Sequence, residues 1–385
     1  MSLRSGFASV SIVPDSLYNS FFRMKNSISG PFLLLFLSSL GSGLTSVVSK
    51  QYMYHEKYLT WEEAQNHCKK HYRNLATFYA QSDVDSLVLN RYHTWISLRE
   101  DKNNGSGWNL FSSELKKIFR DSNENDLNST DVCAAVNYDH KTIDVEDCED
   151  LLFFICEKNE NQSTEYEFIP EAKNWSDAFV DCEQKGYDLA IFSYTKWNQF
   201  FTVRDFPVWI GLHRDGESWN WSSGFSSYIN WELDESSNDS DCVSISSMTK
   251  KMTSQKCEDH FPFVCISENV FLFKENKTWE EALERCRGLT LSSSDRHFDL
   301  LSVEPEDHEF VWNKVMEAET MEVWTGLHFL VDEWLWVNGK EMLYPDLPLC
   351  PIPGHYCGAL SKNDTGSVET RDCFERKNFL CYSYI

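Results

Sequence analysis

Polar and apolar positions follow a helical period just after a capping residue at three places in the chain. The middle one is preceded by Asn174, and four of its side chains fall at positions i, i+3, i+4 and i+7 on one buried face: Trp175, Ala178, Phe179 and Cys182. The stretches that begin at Thr60 and Thr278 carry the T-x-x-E pattern of a capping box. Each place therefore predicts a helix with one buried face.

The same succession of elements follows each of these helices. A second helix with an apolar face is predicted after Ser82, Thr195 and Pro305. A strand led by tryptophan comes next, at residues 95–98, 209–212 and 324–327. Further tryptophans follow: Trp108 in the first copy, Trp219 and Trp221 in the second, and Trp334 and Trp336 in the third. In the later two copies the Trp-x-Trp alternation places both rings on one face of a strand. A polar loop and closing strands complete each copy.

Twelve of the thirteen cysteines fall into three sets of four with nearly the same internal spacing. The sets are Cys68, Cys133, Cys148 and Cys156; Cys182, Cys242, Cys257 and Cys265; and Cys286, Cys357, Cys373 and Cys381. A fixed period indicates an array of one module of about 110 residues. Regular cysteines indicate disulfides and an oxidising compartment, and the absence of short C-x(2–4)-C pairs disfavours zinc. Spacing alone leaves the connectivity open.

Composition narrows the range of functions. The net charge is −25 and the estimated pI is 4.8, which disfavours nucleic acid, acidic membrane surfaces and polyanionic sugars as partners. A hydrophobic fraction of 42% and fourteen tryptophans exclude disorder over most of the length. The sequence contains no His-Glu-x-x-His, Gly-x-Ser-x-Gly or phosphate-binding glycine loop, so we expect no enzymatic activity.

The N-terminal region has the order of a secretory signal. Met24 and Lys25 precede an apolar core at residues 31–40, and small residues follow at 41–46. We expect residues 1–49 to be an N-terminal extension and signal peptide, and the protein to be secreted. The alternative is an uncleaved signal anchor that makes it a single-pass membrane protein, and we expect no other membrane attachment.

Asn-x-Ser/Thr sequons agree with a secreted glycoprotein. We expect glycosylation at seven of the eight: Asn104, Asn128, Asn161, Asn220, Asn238, Asn276 and Asn363. The eighth, Asn174, is the expected helix cap, so its side chain should be less accessible.

Taken together, the helix with Trp and Cys, the Trp-Ile-Gly-Leu strand, the Trp-x-Trp pair, the long loop and the three closing cysteines resemble the C-type lectin-like domain. The arrangement is similar to part of a mannose-receptor-like tandem lectin. The resemblance implies an α+β fold in three tandem domains, at residues 50–158, 164–267 and 268–385, each with two helices, a mixed β-sheet, a long loop and two disulfides. The implied bonds are Cys68–Cys156, Cys133–Cys148, Cys182–Cys265, Cys242–Cys257, Cys286–Cys381 and Cys357–Cys373.

In calcium-dependent members of this family, a Glu/Gln-Pro-Asn/Asp tripeptide in the long loop and a Trp-Asn-Asp run before the third cysteine supply oxygen ligands. The Trp-Asn-Asp slot reads Ile-Asp-Val at 143–145, Met-Thr-Ser at 252–254 and Val-Glu-Thr at 368–370, so the final carboxylate is missing each time. The tripeptide survives only as Tyr-Pro-Asp at 344–346. We expect no resident cofactor; the weak calcium candidates are Asp234, Glu235, Asp241, Asp346 and Glu369.

The sequence therefore predicts an extracellular, non-enzymatic recognition protein that binds a carbohydrate or glycoprotein ligand without the usual calcium site. Two alternatives stay open: a calcium-dependent lectin in innate recognition, and a structural or adhesive spacer of tandem modules. Cys350 stands outside the three sets. We expect a buried or capped thiol there, with an inter-chain disulfide as the alternative.

Overall fold

The computed structural model describes residues 47–99, 132–160, 163–191, 202, 204–216, 218–233, 240–289, 295–340, 342–344, 346–363 and 368–384. The expected signal segment up to residue 46, Trp108 and the helix expected after Thr195 lie outside these residues. Among the helices described, none combines the length and the apolar character needed to cross a membrane.

The helices are α1 (Trp61–His71), α2 (Gln81–Asp85), α3 (Trp175–Gln184), α4 (Trp279–Arg287) and α5 (His308–Met316), the last preceded by a 3-10 turn at Pro305–Asp307. The strands of the first half are β1 (Lys50–Leu59), β2 (Asn74–Leu75), β3 (His93–Arg99), β4 (Val132–Asn137), β5 (Thr142–Asp147), β6 (Leu152–Glu160), β7 (Ser163–Lys173) and β8 (Asp188–Leu189). Those that follow are β9 (Pro207–Asp215), β10 (Ser218–Trp221), β11 (Cys242–Ser246), β12 (Met252–Gln255), β13 (Phe261–Glu268), β14 (Val270–Lys277), β15 (His297–Leu300), β16 (Glu322–Leu330), β17 (Glu333–Trp336), β18 (Cys357–Ser361), β19 (Glu369–Arg371) and β20 (Lys377–Tyr384).

The helix starts follow the capping chemistry of the sequence. Thr60 and Thr278 form both capping boxes, and the Asn174 side chain accepts a hydrogen bond from the Asp177 amide. The cap expected at Ser82 is two residues too late, because the N-cap is Ala80. Helix α2 begins at Gln81, and the Asp83 carboxylate reaches back to accept hydrogen bonds from the amides of the preceding turn.

The described strands form three sheets, and two of them mix the first two sequence modules. The first has the order β1-β13-β9-β11-β12, with β2 beside β13 and β10 beside β9; the second has the order β5-β4-β3-β6-β7, with β8 beside β6. The third, β14-β20-β16-β18-β19 with β15 and β17, comes from the last module alone. We call residues 47–91 with 204–268 the outer unit, 93–191 the inner unit and 270–384 the third unit.

One hydrogen bond repeated in all three units shows that equivalent halves have been exchanged. The indole nitrogen of the helix tryptophan donates to a carbonyl on the tryptophan-led strand at 2.8–2.9 Å: Trp61 to Ile210, Trp175 to Ile96, and Trp279 to Thr325. In the third unit both partners belong to one module. In the other two they belong to different modules, so the N-terminal half of each of the first two modules completes the fold of the other. The module boundaries expected at 50–158 and 164–267 therefore do not coincide with structural units.

The disulfides follow the exchange. Cys68 bonds to Cys265 and Cys156 bonds to Cys182, so the pairs expected from the resemblance, Cys68–Cys156 and Cys182–Cys265, are wrong. In both units the helix cysteine bonds to the closing strand of the other module, β13 for Cys68 and β6 for Cys182. The remaining four bonds are those expected: Cys133–Cys148, Cys242–Cys257, Cys286–Cys381 and Cys357–Cys373.

The short connection between β6 and β7 explains the exchange. Strand β6 ends at Glu160 and β7 begins at Ser163, and the two pair antiparallel from that point to Leu152 opposite Lys173. A two-residue connection favours a hairpin, so β7 takes the edge of β6 that the first strand of the chain would otherwise occupy. Strand β1 pairs instead with β13, from Lys50 opposite Glu268. Short hinges are a general cause of such exchanges.

The third unit packs against the outer unit. The Tyr79 ring lies 4.8 Å from the Phe310 ring and belongs to the core of the third unit. Beside it, Lys314 Nζ lies 2.7 Å from Glu268 Oε1, with the two side chains 1% and 0% exposed, and Arg73 also contacts Glu268. Because a buried charge pair requires close packing around it, these contacts fix the third unit against its neighbour.

Candidate functional site

The strands that correspond to the Trp-Asn-Asp slot are β5, β12 and β19, and their polar side chains already have protein partners. On β5, Asp144 accepts hydrogen bonds from Asn137 Nδ2 at 2.7 Å and Thr142 Oγ1 at 2.8 Å. Burial alone would raise the pKa of Asp144, but hydrogen bonds from His93, Asn137 and Thr142 lower it to about 2. This carboxylate is therefore ionised and held in place.

In the other two units, the residues at the Trp-Asn-Asp position offer fewer free charged oxygens to a cation. Thr253 on β12 is neutral, and its hydroxyl lies 3.2 Å from the Ser244 hydroxyl. Glu369 on β19 pairs with Arg371, which also binds Glu322. A carboxylate neutralised by a guanidinium is a poor calcium ligand, since calcium affinity depends on the charge of the site.

The two remaining calcium candidates that the structure describes, Asp241 and Asp346, lie in different units. Asp241 is 65% exposed and lies 3.6 Å from Arg214 in the outer unit, whereas Asp346 is exposed in the third unit. Tyr344, at the acid position of the loop tripeptide, is 8% exposed and lies 6.3 Å from the Trp336 ring, so it serves the core. Asp234 and Glu235 lie outside the described residues.

A cluster that sequence reasoning missed surrounds His93, at the start of β3. Its Nε2 lies 3.5 Å from Asp144 Oδ2 and 4.0 Å from Glu146 Oε1, and its Nδ1 lies 3.7 Å from Glu56 Oε2. Burial would lower the pKa of His93, but the hydrogen bond to Asp144 and the nearby carboxylates raise it. The alternation of Asp144 and Glu146 on one strand face was a usable signal, whereas the approach of Glu56 from β1 was not.

A cavity of about 940 Å³ lies where the inner and outer units meet. Its walls include β7 from one unit, and β12 with the start of β13 from the other, and the slot residue Thr253 contributes to it. Five carboxylates line it: Glu171, Asp205, Glu232, Glu258 and Asp259. Burial raises the pKa of Asp259; Lys256 opposes this effect, and Glu171 and Glu258 add to it. The cavity depends on the exchanged halves, so the sequence could not reveal it.

The long loop of the third unit exposes apolar side chains. Leu349 is 90% exposed and Ile352 66% exposed, and Trp334 Nε1 donates to the Pro348 carbonyl at 2.9 Å, which anchors the loop to β17. Cys350 is exposed in this loop, so the expectation of a buried thiol is wrong. Its capping or bridging stays a prediction.

The Lectin C-type domain matches residues 57–158 and 171–267, which together make up more than half of the chain. The chain belongs to the C-type lectin domain family. The family resemblance predicted from the sequence is thereby confirmed, and the α+β fold with several disulfides agrees with it.

Among similar proteins, the human secretory phospholipase A2 receptor is 24% identical over 277 residues, covering 59% of this C-type lectin and 18% of the receptor. Human lymphocyte antigen 75 is 25% identical over 280 residues, with 58% and 15% covered. Human lithostathine-1-alpha is 34% identical over 119 residues, with 27% and 72% covered. The chain thus spans less than a fifth of the length of the two receptors.

The expected glycosylation sites of this C-type lectin are exposed wherever they are described. Asn220 lies on β10, Asn276 on β14, and Asn363 just after β18, and all three are exposed. The sequons at Asn104, Asn128, Asn161 and Asn238 lie outside the described residues. Attachment of glycans at these positions stays a prediction.

Proposed function

We propose that this C-type lectin is an extracellular, non-enzymatic recognition protein that binds a glycan or glycoprotein ligand without a calcium ion in the usual position. The observation that carries the proposal is the state of the three slot strands. From these positions β5 offers the single carboxylate Asp144, β12 offers only the neutral Thr253, and β19 offers Glu369, which is paired with Arg371. A calcium ion needs six to eight oxygen ligands, several of them charged, and these strands offer too few.

The cavity between the inner and outer units is the ligand site that this proposal favours. Its volume of about 940 Å³ lies within the range of small-molecule sites. Carboxylates such as Glu258 can accept hydrogen bonds from sugar hydroxyls, and amides such as Gln255 can both accept and donate them. Phe261 adds an apolar surface on which a sugar ring can pack. The acidic lining favours neutral over sulfated or sialylated glycans.

The test is binding of the protein, expressed in an oxidising host, to an array of glycans and glycoproteins, first with calcium and then with EDTA. We expect the same bound ligands in both conditions. Loss of all binding in EDTA would contradict the proposal and would favour the calcium-dependent lectin. No binding to any ligand in either condition would contradict it as well and would favour the spacer.

Two matched double variants locate the site. Gln255→Ala with Glu258→Gln removes polar groups from the cavity and should weaken binding at least tenfold, because hydrogen bonds to charged groups contribute about 1.5–3 kcal/mol. Gln184→Ala with Glu183→Gln makes the same chemical change on the exposed end of α3 and should leave binding unchanged. Equal binding by both variants would exclude the cavity as the site.

A further inference from the structure

His93, Asp144 and Glu146 have the donor types and the spacing of a transition-metal site. Asp144 and Glu146 lie on β5, and His93 lies on β3. The imidazole nitrogen and the two carboxylate oxygens all lie within 4.8 Å of one another. Each side chain is largely buried, with 15%, 13% and 30% of its surface exposed. We propose that these three residues bind a divalent zinc ion.

The distances support this proposal. Zinc bonds to nitrogen and oxygen of about 2.0–2.2 Å in tetrahedral geometry place ligand atoms about 3.3–3.5 Å apart. His93 Nε2 lies 3.5 Å from Asp144 Oδ2 and 4.0 Å from Glu146 Oε1. Because the Glu146 side chain is long and partly exposed, a small rotation brings its oxygen to the required distance. A water molecule would complete four ligands.

The residues around the three ligands hold them in position. Asn137 and Thr142 donate hydrogen bonds to Asp144, one to each oxygen. The backbone of His93 is fixed by the Tyr58 hydroxyl, which donates to its carbonyl at 3.2 Å, and Glu56 faces the second ring nitrogen at 3.7 Å. A carboxylate on the far side of a metal-binding imidazole orients the ring and strengthens the ligand.

Charge and donor chemistry favour zinc over calcium. Glu56, Asp144 and Glu146 face His93 and Arg91, so the carboxylates exceed the cationic groups and a divalent ion would relieve their repulsion. Calcium prefers an all-oxygen shell of six to eight ligands, whereas an imidazole with two carboxylates suits zinc. Asp144 occupies one position of the Trp-Asn-Asp slot, but His93 and Glu146 lie outside the slot and the long loop.

Because Glu56 and Arg91 belong to the outer unit and the three ligands to the inner unit, the ion would lie beside the contact between the two units. A bound ion would stabilise the folded inner unit, which supplies all three ligands. Ligands that bind only the folded state raise its stability by mass action.

The test uses the protein expressed in an oxidising host, stripped with a chelator and titrated with zinc chloride by calorimetry and with cobalt chloride by visible absorption. The His67 ring lies 4.8 Å from the His71 ring and 5.0 Å from the His55 ring, and such pairs can also capture zinc, so every protein carries His67→Gln. We expect one equivalent to bind, with the strong visible bands of four-coordinate cobalt.

The variants His93→Gln and Glu146→Gln should each lower the affinity at least tenfold. His140→Gln, which alters an exposed histidine 3.9 Å from Asp139, should leave it unchanged. Glu146→Gln guards against a folding defect, and its thermal unfolding without metal should match that of the parent. The absence of saturable binding, or equal affinity in the His93 and His140 variants, would overturn the proposal. Displacement of zinc by millimolar calcium would also overturn it.

Discussion

The exchange of halves can be tested by removing pairs of cysteines. The Cys156–Cys182 bond closes 26 residues and the Cys68–Cys265 bond closes 197. The chain-entropy relation assigns them about 3.5 and about 5 kcal/mol. The unexchanged pairs would close loops of intermediate length and contribute about 9 kcal/mol together, the same total as the exchanged pairs. The loop-closure entropy of the disulfides therefore favours neither arrangement. The β6–β7 hairpin favours the exchanged one.

The perturbation is a pair of double variants that remove the same number of sulfur atoms. Cys156→Ala with Cys182→Ala removes one bond of the exchanged arrangement and should leave five disulfides, at a cost of about 3.5 kcal/mol. Cys68→Ala with Cys156→Ala removes partners of two different bonds and should leave four disulfides and three free thiols, those of Cys182, Cys265 and Cys350, at a cost of about 9 kcal/mol.

The assay is peptide mapping without reduction, followed by thiol labelling and urea unfolding. The unexchanged arrangement reverses the two results, because Cys68 and Cys156 would then be partners. Five disulfides in the Cys68/Cys156 variant, or a Cys68–Cys156 peptide from the wild type, would refute the exchange and the explanation based on the short hinge.

Three further predictions concern stability, each measured by urea unfolding. Glu268→Gln should cost about 3–5 kcal/mol because it leaves the buried Lys314 without a charged partner at hydrogen-bond distance. Glu275→Gln, which removes a carboxylate from an exposed pair with Arg285, should cost less than about 1 kcal/mol. Similar costs for the two variants would contradict the buried pairing. Gly211→Ala should cost about 1–3 kcal/mol because the added Cβ would lie 2.9 Å from the Ala76 carbonyl oxygen. Ser97→Ala, at the equivalent position of the inner unit, should leave stability nearly unchanged. An unchanged stability of the Gly211 variant would refute this contact. Burial would raise the pKa of Glu322, but Arg371 and Lys377 lower it, so its contribution is present above the unfolded-state pKa and is lost as the pH falls through the folded pKa. The deficit of Glu322→Gln should therefore be largest near neutral pH and shrink in acid, and a constant deficit would contradict this assignment.

Local structure could be predicted from the sequence because its causes are local. The capping residues Thr60, Asn174 and Thr278 begin helices as expected, and Trp209 and Trp324 are fully buried on their strands. Such signals depend only on neighbouring residues. They are the same whether a helix completes its own module or the next one.

The pairing of the halves could not be read from cysteine spacing, because both arrangements use the same cysteines. The usable signal was the pair of strand-like stretches that end at Glu160 and begin at Ser163, which favours a hairpin. The weakened calcium slots were visible as missing carboxylates. The cavity and the contact of Glu56 with His93 depend on which halves meet, so neither could be predicted.

The hairpin that joins β6 to β7 has one more consequence. It connects the last strand of a lectin fold to the first, so the inner unit is a circular permutant of that fold. This permuted unit is inserted between residues 91 and 204 of the outer unit, which otherwise has the ordinary order of a lectin domain. Domains whose termini lie side by side tolerate both rearrangements. A fragment cut at the repeat boundary near residue 160 would separate both crossing disulfides and divide two domains at once. A fragment of residues 93–191 would instead contain one whole domain.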